Sequence, residues 1–208
     1  MRRIRYGVGT SLDGFIADEK GGTDFLVSDP AYDSAPFFAS IDTVLMGRVT
    51  YEAAVRQGMR AYPGLQNYVV SRTLHPADYP EVTVLGDGFE RVIADLRAAT
   101  GKDIWLCGGG VLFRTLLEAG LVDTVELGIS PTLLGQAGTP LVAVGPLLSR
   151  VARLELTRHE VLPTGLLILE YAVRTSNRRD VRKHSTKNRE IGAPRARPAG
   201  AERGRAAP

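Results

Sequence analysis

Four short segments carry residue types suited to holding a phosphorylated ligand, and each follows an apolar run. Ile104-Trp105-Leu106-Cys107 is stopped by Gly108-Gly109-Gly110, after which Val111 opens a second apolar stretch with helical spacing. A strand, a glycine turn and a helix start bring bare backbone N–H groups against an anion, and glycine leaves room because it lacks a Cβ. Met46-Gly47-Arg48-Val49-Thr50-Tyr51-Glu52 offers a guanidinium and a hydroxyl, and so does Val69-Val70-Ser71-Arg72-Thr73. Arginine presents a planar fork to phosphate oxygens; a hydroxyl at a helix start serves a phosphate oxygen or caps the helix. The fourth segment is Thr10-Ser11-Leu12-Asp13-Gly14, a polar turn after a strand-like run over residues 3–9. Singly, each reads equally as an ordinary bend, solvated charge or cap. Their shared position after strands joins them, because the carboxyl ends of parallel strands form one sheet edge where ligands bind.

Other patterns point away from other chemistries. Gly7-Val8-Gly9 lacks the third glycine of a dinucleotide fingerprint, since Leu12 stands there, and no G-x-x-x-x-G-K-[ST] occurs. His75, His159 and His184 fall on a loop, a strand and the tail, with no metal-ligand spacing, so no metal is expected. The single cysteine, Cys107, excludes an internal disulfide and reads as a buried small residue at a strand end.

The elements that position these segments follow from periodicity. Strands are expected over 3–9, 43–46, 66–70, 82–85, 104–107 and 124–129. Helices are expected over 31–40, 50–55, 89–99 and 111–119. Residues 154–161 and 166–173, joined by Pro163-Thr164-Gly165, predict a closing antiparallel hairpin. Strands alternating with helices predict an α/β fold with a mostly parallel central sheet.

Charge divides the 208-residue chain. Residues 1–173 hold 15 Lys and Arg against 20 Asp and Glu, whereas residues 174–208 hold 11 against 3. Apolar content collapses after Val173, so residues 1–174 read as one domain and 175–208 as a disordered basic tail. The tail lacks interleaved aromatics, which argues against specific nucleic-acid recognition. No apolar run approaches the roughly 18–20 residues of a membrane span, and the N-terminus lacks a signal-peptide pattern; the cytoplasm is the expected compartment.

In this order the four segments resemble those of the dihydrofolate reductase-like superfamily, on the branch that shares its fold with the reductase domain of riboflavin biosynthesis. S-L-D-G-x-I matches Ser11 to Ile16, G-R-x-T-[WY]-E matches Gly47 to Glu52, V-V-S-R matches Val69 to Arg72, and the G-G-G turn with its helix matches Gly108 to Phe113. The resemblance implies a three-layer α-β-α fold and an oxidoreductase that uses NADPH. Gly47, Arg48 and Thr50 would meet the cofactor's phosphates, and Ser71 and Arg72 its 2′-phosphate. Gly108, Gly109 and Gly110, with Leu112 and Phe113, would lie along the pyrophosphate and nicotinamide, and Gly108-Gly109 would be cis. Gly9 and Ile16 would flank the loop over the nicotinamide, with Asp13 shaping its turn.

On the substrate side the family's acid corresponds to Asp33, with Asp29 the other candidate. Its threonine partner falls at Leu127, which argues against tight folate binding. The implied reaction is hydride transfer to a C=N or C=O group of a small pterin- or pyrimidine-like molecule, by a protein that is often dimeric in such relatives. A nucleotide-binding module without turnover is the alternative.

Overall fold

The computed structural model describes residues 1–135, 138–143, 148–149 and 151–174. The expected disordered tail, 175–208, lies outside the described residues. One eight-stranded sheet is built from β1 (Ile4–Ser11), β3 (Ile41–Gly47), β4 (Gln66–Val70), β5 (Thr83–Leu85), β6 (Asp103–Leu106), β7 (Thr124–Ser130), β9 (Arg153–Val161) and β10 (Leu167–Arg174), in the order β5-β4-β3-β6-β1-β7-β10-β9. The strands from β5 to β7 are mutually parallel; β10 runs antiparallel to both β7 and β9. A second small sheet pairs β2 (Phe15–Ala17) with β8 (Thr139–Pro140).

Side-chain alternation along the strands splits the helices between two faces. Ile4, Tyr6, Leu45, Ile104, Leu106 and Val125 point to one face and pack against α3 (Phe89–Ala98), through Ile93, and α4 (Gly110–Glu118), through Leu112, Phe113 and Leu116. Val44, Met46 and Val69 point to the other and pack against Tyr51 of α2 (Arg48–Arg56). Arg5 reaches that same second face, its guanidinium 4.8 Å above the Phe37 ring of α1 (Ala35–Ala39). The fold is therefore the expected three-layer α-β-α arrangement with a C-terminal hairpin. No helix among the described residues is long and apolar enough to cross a membrane.

Two boundaries differ for local reasons. α1 starts at Ala35 rather than 31, because Asp29 folds the preceding residues into a turn: its Oδ1 accepts the Ala31 amide at 2.8 Å, and the Tyr32 amide bonds its carbonyl at 3.1 Å. α2 starts at Arg48, with Gly47 as N-cap, so Thr50 lies inside the first turn and caps nothing.

Candidate active site

The parallel register brings the sequence segments to one edge. Gly47 ends β3 beside Val70 of β4, and its amide donates to the Gly108 carbonyl at 3.1 Å, which ties the first glycine segment to the triple-glycine turn. The Gly108-Gly109 peptide is cis, and Gly108 has φ +125°, a region that excludes other residues on steric grounds. A Cβ on Gly108 or Gly109 would stand 3.4 Å from Thr50 Oγ1, so that hydroxyl faces the turn directly. Both α2 and α4 begin at glycine N-caps with no side-chain cap bond. Their first-turn amides thus retain donors for an anion.

The basic groups differ in how they are held. Arg48 Nη1 donates to both Glu52 carboxylate oxygens at 2.8 Å on the exposed surface of α2. Ser71 is buried, and its Oγ accepts the amides of Thr73 at 3.1 Å and Leu74 at 3.0 Å. That fixes the hydroxyl, which also lies 3.4 Å from the Thr73 hydroxyl. The neighbouring Arg72 is exposed and has no hydrogen bond or ion pair among the described residues.

A single cleft of about 1940 Å³ runs past all of these groups. Its lining includes Gly9, Ile16, Gly47, Arg48, Thr50, Ser71, Arg72, Gly108, Gly109, Gly110, Leu112, Asp29 and Asp33. Phe113 stands apart: it is 3 % exposed, and its ring stacks on Tyr6 in the core at 3.8 Å. Helix α4 turns Leu112 toward the cleft and Phe113 inward, a choice of face that the segment match did not resolve. The volume exceeds the roughly 300–1,000 Å³ of an ordinary small-molecule pocket, which suits an extended ligand with a second molecule beside it.

The second arm of the cleft lies on the α1 face of β1, β6, β7 and β10. Its residues were not singled out by motif. Trp105 donates its indole N–H to the Gly7 carbonyl at 2.8 Å and meets the edges of Phe37, Phe38 and Tyr62 at ring separations of 5.5, 5.7 and 4.9 Å. A Cβ on Gly7 would come within 3.2 Å of the indole nitrogen, so the ring would have to give by a few tenths of an ångström. Arg5 forms a bidentate pair with Glu126, both bonds 2.7 Å. Burial opposes the Arg5 charge, but the Glu126 carboxylate, with Asp103 and Glu170, outweighs it and the guanidinium pKa is raised. Arg158 Nη1 donates to Glu170 at 2.6 Å at the far wall. The signal that could have found these residues is a charged side chain inside an otherwise apolar strand, as at Arg5 and Glu126. On β7 it is Glu126, in register with Gly7, that faces this arm. Leu127, in register with Val8, packs toward the core.

The acids have distinct duties. Asp33 is exposed at the start of α1, where its Oδ1 accepts the Ala35 amide at 2.9 Å. Asp29 is buried; its Oδ2 accepts the Thr164 hydroxyl at 2.7 Å and the Thr164 amide at 2.9 Å, and these bonds, with the Ala31 amide, hold its pKa below the usual range. Asp13 accepts the Ser11 hydroxyl at 2.6 Å and the amides of Gly135 at 2.8 Å and Leu134 at 3.1 Å, which likewise lower its pKa. Asp13 thereby clamps the 11–15 turn to the 134–135 loop. Burial pushes the Cys107 thiol up to about 11, against a smaller opposing effect of its contact with the Tyr62 hydroxyl.

The model of the RibD C-terminal domain family matches residues 2–168. An uncharacterized protein of Bacillus subtilis (strain 168), YyaP, is 32% identical over 153 residues, spanning 68% of this chain and 80% of its own length. A crystal structure of a Shewanella sp. PV-4 protein named for riboflavin biosynthesis superposes with TM-score 0.70 at 29% identity, covering 84% of this chain and 100% of that one. Enterococcus faecalis dihydrofolate reductase, solved with NADP(H), has TM-score 0.59 at 18% identity over 83% of this chain and 97% of its own, a likeness of fold.

Proposed function

Because the chain belongs to the RibD C-terminal domain family, we propose that it is an NADPH-dependent oxidoreductase acting on a small planar heterocycle with a reducible C=N or C=O group. One observation carries this reading: a single cleft joins a phosphate-type cradle to an aromatic-walled arm. The cradle's donor set fits a dinucleotide. Backbone amides at two helix starts and the Thr50 hydroxyl suit the diphosphate, and glycine at 108–110 keeps side chains out of its way. Arg48 reaches the same phosphates by exchanging Glu52 for them, an exposed pair that stabilises the chain by only about 0.3–0.5 kcal/mol. Arg72, with no hydrogen bond or ion pair among the described residues, and the adjacent Ser71 hydroxyl suit the 2′-phosphate that distinguishes NADPH from NADH.

The bound cofactor supplies the hydride; the protein supplies position, charge and exclusion of water. Trp105 and Phe37 offer flat apolar surfaces for a heterocycle beside β1. Asp33 is the substrate-side acid in this reading, since Asp29 already spends both oxygens on Thr164 and Ala31. One Asp33 oxygen accepts the Ala35 amide; the other can orient a ring N–H or hold a proton for it.

The test is titration of the full chain with NADPH and NADH by nicotinamide fluorescence, followed by NADPH oxidation over pterins, pyrimidines and aldehydes. Losing a charge-assisted contact of roughly 1.5–3 kcal/mol predicts that Arg72→Ala weakens NADPH about 10- to 100-fold and leaves NADH nearly unchanged. Equal loss for both cofactors contradicts the 2′-phosphate assignment. Tight NADPH binding with no turnover across the panel favours the nucleotide-binding module.

A further inference from the structure

Strand register lays Gly7 of β1, Glu126 of β7, Glu170 of β10 and Arg158 of β9 in one row across the sheet. All four line the second arm of the cleft. Trp105 and Phe37 stand over the Gly7 end, where a Cβ would meet them at 3.2 and 3.5 Å. In the middle, two carboxylates lie directly opposite each other on neighbouring strands, an arrangement that costs stability unless cations flank it.

Both flanking cations are already committed. Arg5 spends Nε and Nη2 on Glu126 and Nη1 on the Ser40 hydroxyl at 2.5 Å. Arg158 spends Nη1 on Glu170 and Nη2 on Glu160. The carboxylates keep capacity: Glu170 Oε2 accepts no hydrogen bond among the described residues, and Glu126 Oε2 accepts only that of Arg5. Asp33 adds a further negative charge to this arm. Among the described residues no lysine or histidine lines the cleft, and Arg56 does so from the exposed end of α2, away from the row.

We infer that this row selects the substrate by charge, an inference that rests on the cofactor-and-heterocycle reading of the cleft. The ring lies against Trp105 and Phe37 and turns toward Glu126 and Glu170 an edge that is cationic or bears N–H groups, as an amidine or an amino-substituted ring nitrogen does. Each N–H finds a carboxylate oxygen with a lone pair to spare, a charge-assisted bond stronger than one between neutral groups. A phosphate or carboxylate at that edge meets two like charges and no uncommitted cation, and is refused. Glu170 is the specificity-determining residue, because its second oxygen is open to the ligand while Glu126 is occupied in holding Arg5.

Trp105, the chain's only tryptophan, reports from inside this arm, so the test needs no cofactor. Benzamidine, benzamide and benzoate share one planar ring and are cationic, neutral and anionic at neutral pH. Quenching of Trp105 fluorescence in the full chain is expected to rank them in that order, with benzamidine bound about 10-fold or more tighter than benzoate. Glu170→Gln is expected to weaken benzamidine about 10-fold and to change benzamide less than about 2-fold, and Glu170→Lys to place benzoate above benzamidine. Glu160→Gln removes the other carboxylate on Arg158, one that does not line the cleft, and should keep the wild-type order. Circular dichroism checks that each variant remains folded; the wild-type order decides even where one does not. Benzoate bound as tightly as benzamidine, an order indifferent to Glu170→Gln, or no quenching by benzamidine at about 10 mM, ten times a weak ligand's Kd of about 1 mM, overturns the inference. NADPH titration of the same protein separates the two readings. NADPH binding without the charge order removes this inference alone, whereas the charge order without NADPH binding removes the cofactor reading.

Discussion

Gly110 is where the 138–143 segment presses on the glycine turn, and Gly110→Ala measures that contact. A Cβ there would stand 2.5 Å from the Pro140 carbonyl oxygen, 2.9 Å from the Ala143 nitrogen and 3.2 Å from the Leu141 carbonyl oxygen. All three are backbone atoms and cannot rotate aside. They are also held: the Ala143 amide donates to the Gly110 carbonyl at 3.2 Å, and the Tyr6 hydroxyl to the Leu141 carbonyl at 3.0 Å. Alanine would favour the helix by at most about 1 kcal/mol, less in the first turn. Overpacking against fixed neighbours costs about 1–3 kcal/mol, so a net loss of about 1–2 kcal/mol is expected. For a chain of this size that lowers Tm by about 2–8 °C. The displaced backbone is also cleft wall, so NADPH affinity should fall with it. Gly86→Ala is the control: Gly86 lines the same cleft, its Cβ would meet no atom within 4 Å, and its φ is not in the left-handed region. Its Tm should equal or slightly exceed wild type. Thermal unfolding by circular dichroism, with NADPH titration of each variant, gives the comparison. Gly110→Ala melting at or above wild type would refute the packing argument, and an equal fall at Gly86 would remove its steric basis.

Two further outcomes follow from titrating groups. Asp29 has a folded pKa below its unfolded value of about 3.9, so its contribution to stability is present above that pH and is lost as pH falls toward the folded value. The Tm gap between wild type and Asp29→Asn should therefore narrow on acidification below about pH 4; a gap constant with pH would show that the Thr164 bonds do not depend on the charge. With its thiol at about 11, Cys107 is less than roughly one part in a hundred thiolate at pH 8, so iodoacetamide should label native protein far more slowly than urea-unfolded protein. Comparable labelling rates would mean that the site opens to reagent.

Strand–turn–helix units were legible because their signals are local. Ile104 to Leu106, the glycines and α4 each occupy one short window, and the same holds for β3 with α2 and for the closing hairpin. What escaped is what depends on distant chain. The two-residue strand β8 exists only because β2, more than a hundred residues earlier, lies beside it. Asp13 was expected to shape its own turn, yet its carboxylate also clamps residues 134 and 135. Arg5 and Glu126 stand out in sequence only as charges inside apolar strands; that they meet follows from the parallel register of β1 and β7, which sets the strands side by side. Phe113 and Leu112 are equally apolar neighbours, and only the packing of α4 decides which meets the cleft and which meets Tyr6.

The position of β1 near the middle of the sheet has a consequence for descent. The cradle hangs from β3, β4 and β6 on one side of it, with the aromatic wall of Trp105 and Phe37, and the charged wall of Glu126, Glu170 and Arg158 comes from β7, β10 and β9 on the other. Few side chains belong to both. A lineage can therefore rewrite the C-terminal hairpin and the strand before it while inheriting the cradle unchanged. Relatives within this fold are expected to diverge most on the hairpin side, each keeping one half of the cleft as a common inheritance and using the other to acquire new chemistry.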